Sequence, residues 1–274
     1  MSGASADSGP PRPPASAAAA LARREGRVRL LVTVVLLGGF AAFLAATGPD
    51  NGWSWERVWR VQGERSWPVL FGKALLVTLA VSSGALVLSL VFGFAGGLLR
   101  LSPRPIPSQL GAIYVEVVRG TPLLVQLFIA VYCVGYSLGI DDHPVLVGTV
   151  TLGLFAGAYV TEIVRGAVQS IDPGQTEAAL SQGMTRWQAL RHVLLPQALR
   201  RMLPPLTGEF VSLVKDSSLL SVIGVVEISK RAGEARAETY RTYEVYLPLA
   251  LLYLLITFPL SRWARRLEAR AAGP

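Results

Sequence analysis

Charge is scarce in this chain. Only 16% of its 274 residues are charged and 51% are apolar, whereas a soluble domain carries about 25% charged residues. The deficit excludes an ordinary water-soluble fold and points to a protein that crosses a membrane several times. Cysteine is nearly absent too. The single Cys133 excludes an internal disulfide and reads as a small buried hydrophobe. There are only two histidines, His143 and His192, standing far apart, so they read as solvated side chains and no metal site is expected. The chain has no His-Glu-x-x-His run and no Gly-x-Ser-x-Gly elbow, and Gly72-Lys73-Ala74 lacks the remaining residues of a phosphate-cradling loop. No catalytic residue and no cofactor are expected, and ATP should not bind this chain. The net charge of +8 does not signal nucleic acid, because the basic residues flank apolar runs instead of forming a patch.

What is present is a series of apolar runs. A helix needs about 20 such residues to cross the hydrocarbon core, and six runs are assigned, at 30–46, 70–99, 111–139, 145–168, 203–226 and 244–261. The expected fold is an all-α membrane protein with six transmembrane helices. Residues 1–28, rich in Pro, Ala, Ser and Gly, predict a disordered tail. Segment 29–69 holds the first span and a polar stretch whose Trp53, Trp55, Trp59 and Trp67 suit an interfacial helix. The run at 30–46 is long for a signal peptide, and Ala45-Ala46-Thr47-Gly48 makes a weak cleavage site, so a retained helix is expected. The main membrane domain is 70–264, and 265–274 is a basic tail.

Pro122 interrupts the third run, so 111–120 is expected as a lead-in to the span proper, with Glu116 and Arg119 one turn apart. Gly93 with Gly97, Gly135 with Gly139 and Gly153 with Gly157 stand four apart and predict tight helix packing. Under the six-span assignment, sixteen of the 26 Lys and Arg fall on one side of the membrane and eight on the other. The positive-inside rule then puts both termini, and the polar block at 169–202, in the cytoplasm.

That block has its own punctuation. Asp172-Pro173 predicts a turn with Asp172 capping a short helix, Gln175–Gln182, and Glu177 favoured by the dipole of its first turn. Gly183 predicts a left-handed helix end, and Thr185 a cap for a second helix, Arg186–Val193, closed by Leu195-Pro196. Ala178 and Ala179 leave a smooth knob that a soluble partner could grip. An interfacial amphipathic hairpin, suited by Trp187, Leu190 and Leu194, is the competing reading.

Glu177-Ala178-Ala179, with Gly183 after three intervening residues and Leu195-Pro196 beyond, resembles the EAA loop of bacterial ABC importer permeases. The stretches 119–126 (Arg119-Gly120-Thr121-Pro122-Leu123-Leu124-Val125-Gln126), 158–166 (Ala158 to Gly166) and 215–219 (Lys215 to Leu219) look like signatures of polar amino acid permeases within the binding-protein-dependent transport system inner membrane component family. The resemblance covers roughly residues 70–262. It implies a five-helix permease core preceded by an extra helix, in a multi-pass protein of the bacterial cytoplasmic membrane. It also implies two ATP-binding cassette subunits, an extracytoplasmic solute-binding protein and a second permease chain, identical or homologous, as partners besides membrane lipid. Glu177, Ala178, Ala179 and Gly183, with Leu195 and Pro196, would be the ATPase-coupling positions. Ser181-Gln182 departs from the apolar residue that members commonly have before the glycine.

Glu162 and Lys215 are intramembrane charges, which face a partner or a watery path. They pair with each other, or bind the two charged ends of an amino acid in transit, or form a structural pair; the sequence leaves these open. Glu209 and Asp216 are further candidates, and Tyr159 and Gln126 add hydrogen-bonding groups to the expected path. A scaffold or receptor that docks soluble partners without transport is the alternative function.

Overall fold

The computed structural model describes residues 52–60 and 66–271, with isolated helical positions between 31 and 46. The expected tail at 1–28 lies outside the described residues, as does most of the expected span at 30–46. The chain divides into two units, Met1–Trp53 and Ser54–Pro274, and the helices named below all belong to the second.

A short helix α1 (Trp55–Trp59) precedes the long α2 (Trp67–Arg100). Next come α3 (Pro105–Gly120) and α4 (Leu123–Leu138), which meet at a bend of 102°. The cause is local. Pro122 has no N–H to give, and Thr121, just before it, is extended at φ −118° and ψ 143°. Gln126 secures the corner: its Nε2 donates to the carbonyls of Val118 (2.7 Å) and Thr121 (3.1 Å) and to Thr121 Oγ1 (2.8 Å). The break expected at Pro122 is therefore real.

Helix α5 (Pro144–Gln169) packs along α2. Gly93, Gly96 and Gly97 of α2 lie against Val160, Thr161 and Val164, while Gly153 and Gly157 of α5 receive Leu88 and Phe92. Lipid offers no hydrophobic drive between helices, so such close backbone approach supplies the attraction through van der Waals contact. Two of the three glycine pairs thus do what their spacing predicts. The third does not: Gly139 ends α4 in the left-handed region, at φ +65°.

After a hairpin described below, α8 (Leu195–Asp216) runs into a 3₁₀ turn, Ser217–Ile223. A polar helix α9 (Ile228–Thr239) then leads to α10 (Thr242–Ala271). Among the described residues three helices (α2, α5 and α10) are long and apolar enough to cross a membrane, and the bent α3–α4 pair makes a fourth. The span expected at 203–226 differs from the others. It is α-helical only to Asp216, and its helix carries Arg200, Arg201, Glu209, Lys215 and Asp216 beside the buried Met202, Thr207, Val211 and Val214.

Helix α1 is fastened to the main body. Val58 is fully buried among Phe71, Ile228, Ala232 and Val245. Trp59 Nε1 donates to the carbonyl of Glu244 (2.7 Å), and the Ser54 N–H donates to the buried Glu244 carboxylate (3.0 Å). Cys133, expected to be buried, is exposed on α4. In a membrane protein the apolar surface faces outward as readily as inward, which defeats a burial argument taken from water.

Candidate functional site

The hairpin between α5 and α8 follows from its own caps. Asp172 Oδ1 accepts from the Gly174 N–H (2.7 Å) and starts α6 (Pro173–Ser181). The helix closes on two bonds: Gly183 N–H donates to the Leu180 carbonyl (3.0 Å) and Met184 N–H to the Ala179 carbonyl (3.2 Å). This is a Schellman closure, and it requires the left-handed φ of +81° that Gly183 adopts. Thr185 then opens α7 (Arg186–Ala189) with a reciprocal box. Its Oγ1 accepts from the Gln188 N–H (3.3 Å), and its own N–H donates to Gln188 Oε1 (2.9 Å).

Leu195-Pro196 does not close this second helix. The backbone widens into a π-helical turn, Leu190–Leu194, and continues unbroken into α8. Pro196 cannot donate to the carbonyl four residues back, and its ring would press on it. The wide turn accommodates this, with Leu195 N–H donating to the Leu190 carbonyl five residues behind. Leu195 and Pro196 themselves are exposed.

The hairpin's faces are unequal. Glu177, Ala178 and Gly183 are exposed, and so are Leu180, Trp187 and Leu190. Ala179 is buried, as is Ala189. The expected knob of two alanines is therefore a single one: Ala178 faces outward, while Ala179 lets the two short helices pack closely. The hairpin is tied at its base, where Arg201 of α8 donates to Ser170 Oγ at the end of α5 (2.7 Å).

The intramembrane charges sort differently from expectation. Glu162 does not pair with Lys215. Arg165 grips its carboxylate with Nη2 (2.6 Å) and Nε (3.0 Å), and Arg100 Nε stands 3.5 Å away. Arg165 Nη1 also donates to Gln169 Oε1 (2.6 Å). This triad joins the last residue of α2 to α5 and fits the structural reading of Glu162. Lys215 is exposed. Gln126 is engaged at the α3–α4 corner. Tyr159 instead stacks under Arg119, whose guanidinium carbon lies 4.8 Å from the ring centre. Sequence reasoning gave Arg119 no role in the path, because its partner lies on another helix forty residues away. A cavity of about 690 Å³ opens beside α3, α4 and α5. Its wall is mostly apolar (Val117, Val125, Val150 and Leu154 among others), which does not suit a polar solute.

Residues 90–273 match the family described as the binding-protein-dependent transport system inner membrane component. The chain belongs to this family. Among its relatives, the glutamine transport system permease protein GlnP of Escherichia coli (strain K12) is 39% identical over 207 residues, 74% of this chain and 94% of its own length. The L-cystine transport system permease protein TcyB of Bacillus subtilis (strain 168) is 35% identical over 215 residues, 77% of this chain and 90% of its own. A solved amino acid ABC transporter, crystallised with histidines, has a chain 35% identical that superposes with a TM-score of 0.69, covering 74% of this chain and 95% of that one. The MetNI methionine ABC transporter in its inward-facing form shares the fold at 23% identity, with a TM-score of 0.61. Family membership makes this chain a multi-pass inner-membrane transport component and not an enzyme.

Proposed function

We propose that the chain is the translocating subunit of an ATP-driven importer for a polar or charged amino acid. The observation that carries this reading is the α6–α7 hairpin. It is a rigid, doubly capped element with an exposed Glu177-Ala178 edge and a Gly183 turn, joined without a break to α8. Such an element suits a groove on a partner. Two ATP-binding cassette subunits would hold two hairpins, with Glu177, Ala178 and Gly183 at the contact and Ala179 packed behind it. Leu195 and Pro196 mark the wide turn through which motion enters α8.

The relatives named for glutamine and cystine, and the structure of an amino acid transporter, support an amino acid as solute. The family description itself includes a binding protein, which would deliver the solute from outside. A second permease chain would complete the path. The charge asymmetry supports an orientation with both termini and the hairpin in the cytoplasm. The path would open outward when ATP draws the cassettes together, and inward after hydrolysis.

The test is reconstitution of the permease with its cassette ATPase and binding protein in proteoliposomes. Amino-acid-dependent uptake coupled to ATP hydrolysis is expected. ATPase docking without uptake of any amino acid would favour the scaffold reading instead.

A further inference from the structure

The end of the molecule opposite the hairpin holds a polar cavity of about 530 Å³, within the ~300–1,000 Å³ typical of small-ligand sites. Helix α2 fixes its level. Arg100, the last residue of α2, meets Glu162 on the hairpin's side, so Trp67, its first, stands at the other end. At 34 residues α2 is about 50 Å long, against roughly 30 Å of hydrocarbon and 40–45 Å with both headgroup layers. Its first turn therefore reaches the headgroup layer. Exposed Lys73, about 9 Å deeper along the axis, suits the edge of the hydrocarbon. Around the cavity stand Glu56, Arg57 and Arg60 of α1, Trp67 of α2 and Glu238 at the end of α9. Two cations and two carboxylates thus share one space, and none of the four forms an ion pair among the described residues. These charges are not what holds α1 in place. Buried Val58 and the bonds from Ser54 and Trp59 to Glu244 do that. Helix α1 also lies outside the family match, which begins at residue 90, so the shared permease core does not account for it.

We propose that this cavity seats the headgroup of a phospholipid carrying both a phosphate and a primary ammonium, the chemistry of phosphatidylethanolamine. Arg57 and Arg60 take the phosphate, whose oxygens match the planar guanidinium fork. Glu56 and Glu238 take the ammonium, a compact charge with three N–H groups to give. Charge is balanced on both sides, two against two in the site and one against one in the ligand. A purely anionic headgroup would leave the carboxylates facing a like charge, and a trimethylated one would offer them no N–H. Trp67 sits at the depth where indole rings gather, and the acyl chains run down beside α2. A lipid held this way ties α1 to the end of α9 across the cavity. The proposal needs only the membrane-spanning α2 and stands apart from the importer reading.

The experiment is native mass spectrometry of the full chain in detergent, with melting temperatures read in parallel. The chain is titrated with phosphatidylethanolamine, phosphatidylcholine or phosphatidylglycerol of identical acyl chains. Wild type should bind phosphatidylethanolamine most tightly and gain the largest rise in melting temperature from it. R57M/R60M should weaken that binding about tenfold or more, through lost charge-assisted hydrogen bonds. E56Q/E238Q should remove the preference over phosphatidylglycerol. All four side chains are exposed, so both variants should melt like wild type without lipid. If R57M/R60M fails that check, R57K/R60K keeps the charge but loses the fork, and it should still bind several-fold more weakly. Absence of a phosphatidylethanolamine preference in wild type, its retention in E56Q/E238Q, or wild-type affinity in the arginine variants overturns the site. So does displacement of the lipid by O-phosphoethanolamine at matching concentration, which would assign the cavity to a free solute. None of these outcomes touches the importer reading, which the uptake assay tests separately.

Discussion

Substitution at Gly183 separates backbone geometry from side-chain contact in the hairpin. The residue sits at φ +81°, and a Cβ built on it meets nothing within 4 Å in this chain. Steric crowding inside the permease therefore contributes nothing to the cost of a side chain there. What remains is the left-handed conformation, which costs a non-glycine residue about 1–2 kcal/mol. Asn tolerates that region best, Ala less well, and a β-branched Val worst. If the cassette ATPase binds only the closed hairpin, the strain appears as lost affinity. About 1–2 kcal/mol then corresponds to a weakening of roughly 5- to 30-fold, since 1.4 kcal/mol is tenfold. The assay is the dissociation constant of the purified ATPase for the permease in nanodiscs, for Gly183→Asn, Gly183→Ala and Gly183→Val. The expected order of affinity is Gly, then Asn, then Ala, then Val. A partner surface pressed directly on this position would instead punish size, making Asn worse than Ala. That order, or a Val variant as tight as wild type, refutes the strain account.

Three more outcomes are expected. At Gly157 a Cβ alone would come to 2.9 Å from Phe92 Cβ and 2.7 Å from Tyr114 Oη; Gly157→Leu should cost about 1–3 kcal/mol or more, read as a melting temperature several degrees lower. Glu162→Gln leaves Arg100 and Arg165 without their shared carboxylate, so it should lower the melting temperature, and uptake only in proportion to folded protein. Glu227, outside the four spans, is buried at the start of α9, and burial pushes its carboxyl above the ordinary value of 4.5. A raised folded-state value means the folded chain holds its proton longer, so this contribution is full below about pH 4.5 and is lost as pH climbs past the raised value. Glu227→Gln should flatten the fall in melting temperature with rising pH over that window, and an unchanged slope would contradict it.

Features governed by near neighbours in the chain were legible in advance. The Asp172 cap, the Gly183 turn, the Thr185 cap and the break at Pro122 each depend on one residue acting on backbone a few positions away, and each stands in the structure as its chemistry requires. The glycine spacings on α2 and α5 were readable for a related reason, since four-residue spacing keeps small residues on one helix face. Properties set by distant partners were not. Nothing near Ala179 distinguishes it from Ala178, because burial depends on where α7 returns. Arg100 lies 62 residues from Glu162 and reaches it only because α2 and α5 pack along their length. Arg119 meets Tyr159 only after the α3–α4 corner has turned. Pro196 misled for a different reason: a proline ends a helix unless the preceding turn widens, and the wide turn has no sequence mark as plain as a glycine.

The helices that carry the hairpin also carry the intramembrane polar groups, and this gives the coupling a physical route. Helix α5 runs from Tyr159 through Glu162 and Arg165 to Ser170, beside the Asp172 cap. Helix α8 leaves α7 through the wide turn and continues past Arg201 to Glu209 and Asp216. The Arg201–Ser170 bond (2.7 Å) joins the two at the hairpin's base. A partner that displaces α6 and α7 therefore pushes on the near ends of both helices. Helix α5 is held to α2 by close glycine contacts and by the Arg100–Glu162–Arg165 triad, which resist sliding. Helix α8 packs on α5 through Ala198 and Met202 but without close glycine contacts; it carries Pro204 and Pro205 within it and a π-helical turn before it, the places where helices bend most readily. Motion entering from the hairpin should therefore shift α8 against a fixed α2–α5 pair. A disulfide engineered to lock α8 to α5 near Ser170 and Arg201 should stop uptake while sparing ATPase docking. Uptake at the wild-type rate in the oxidised protein would show that the movement takes another route.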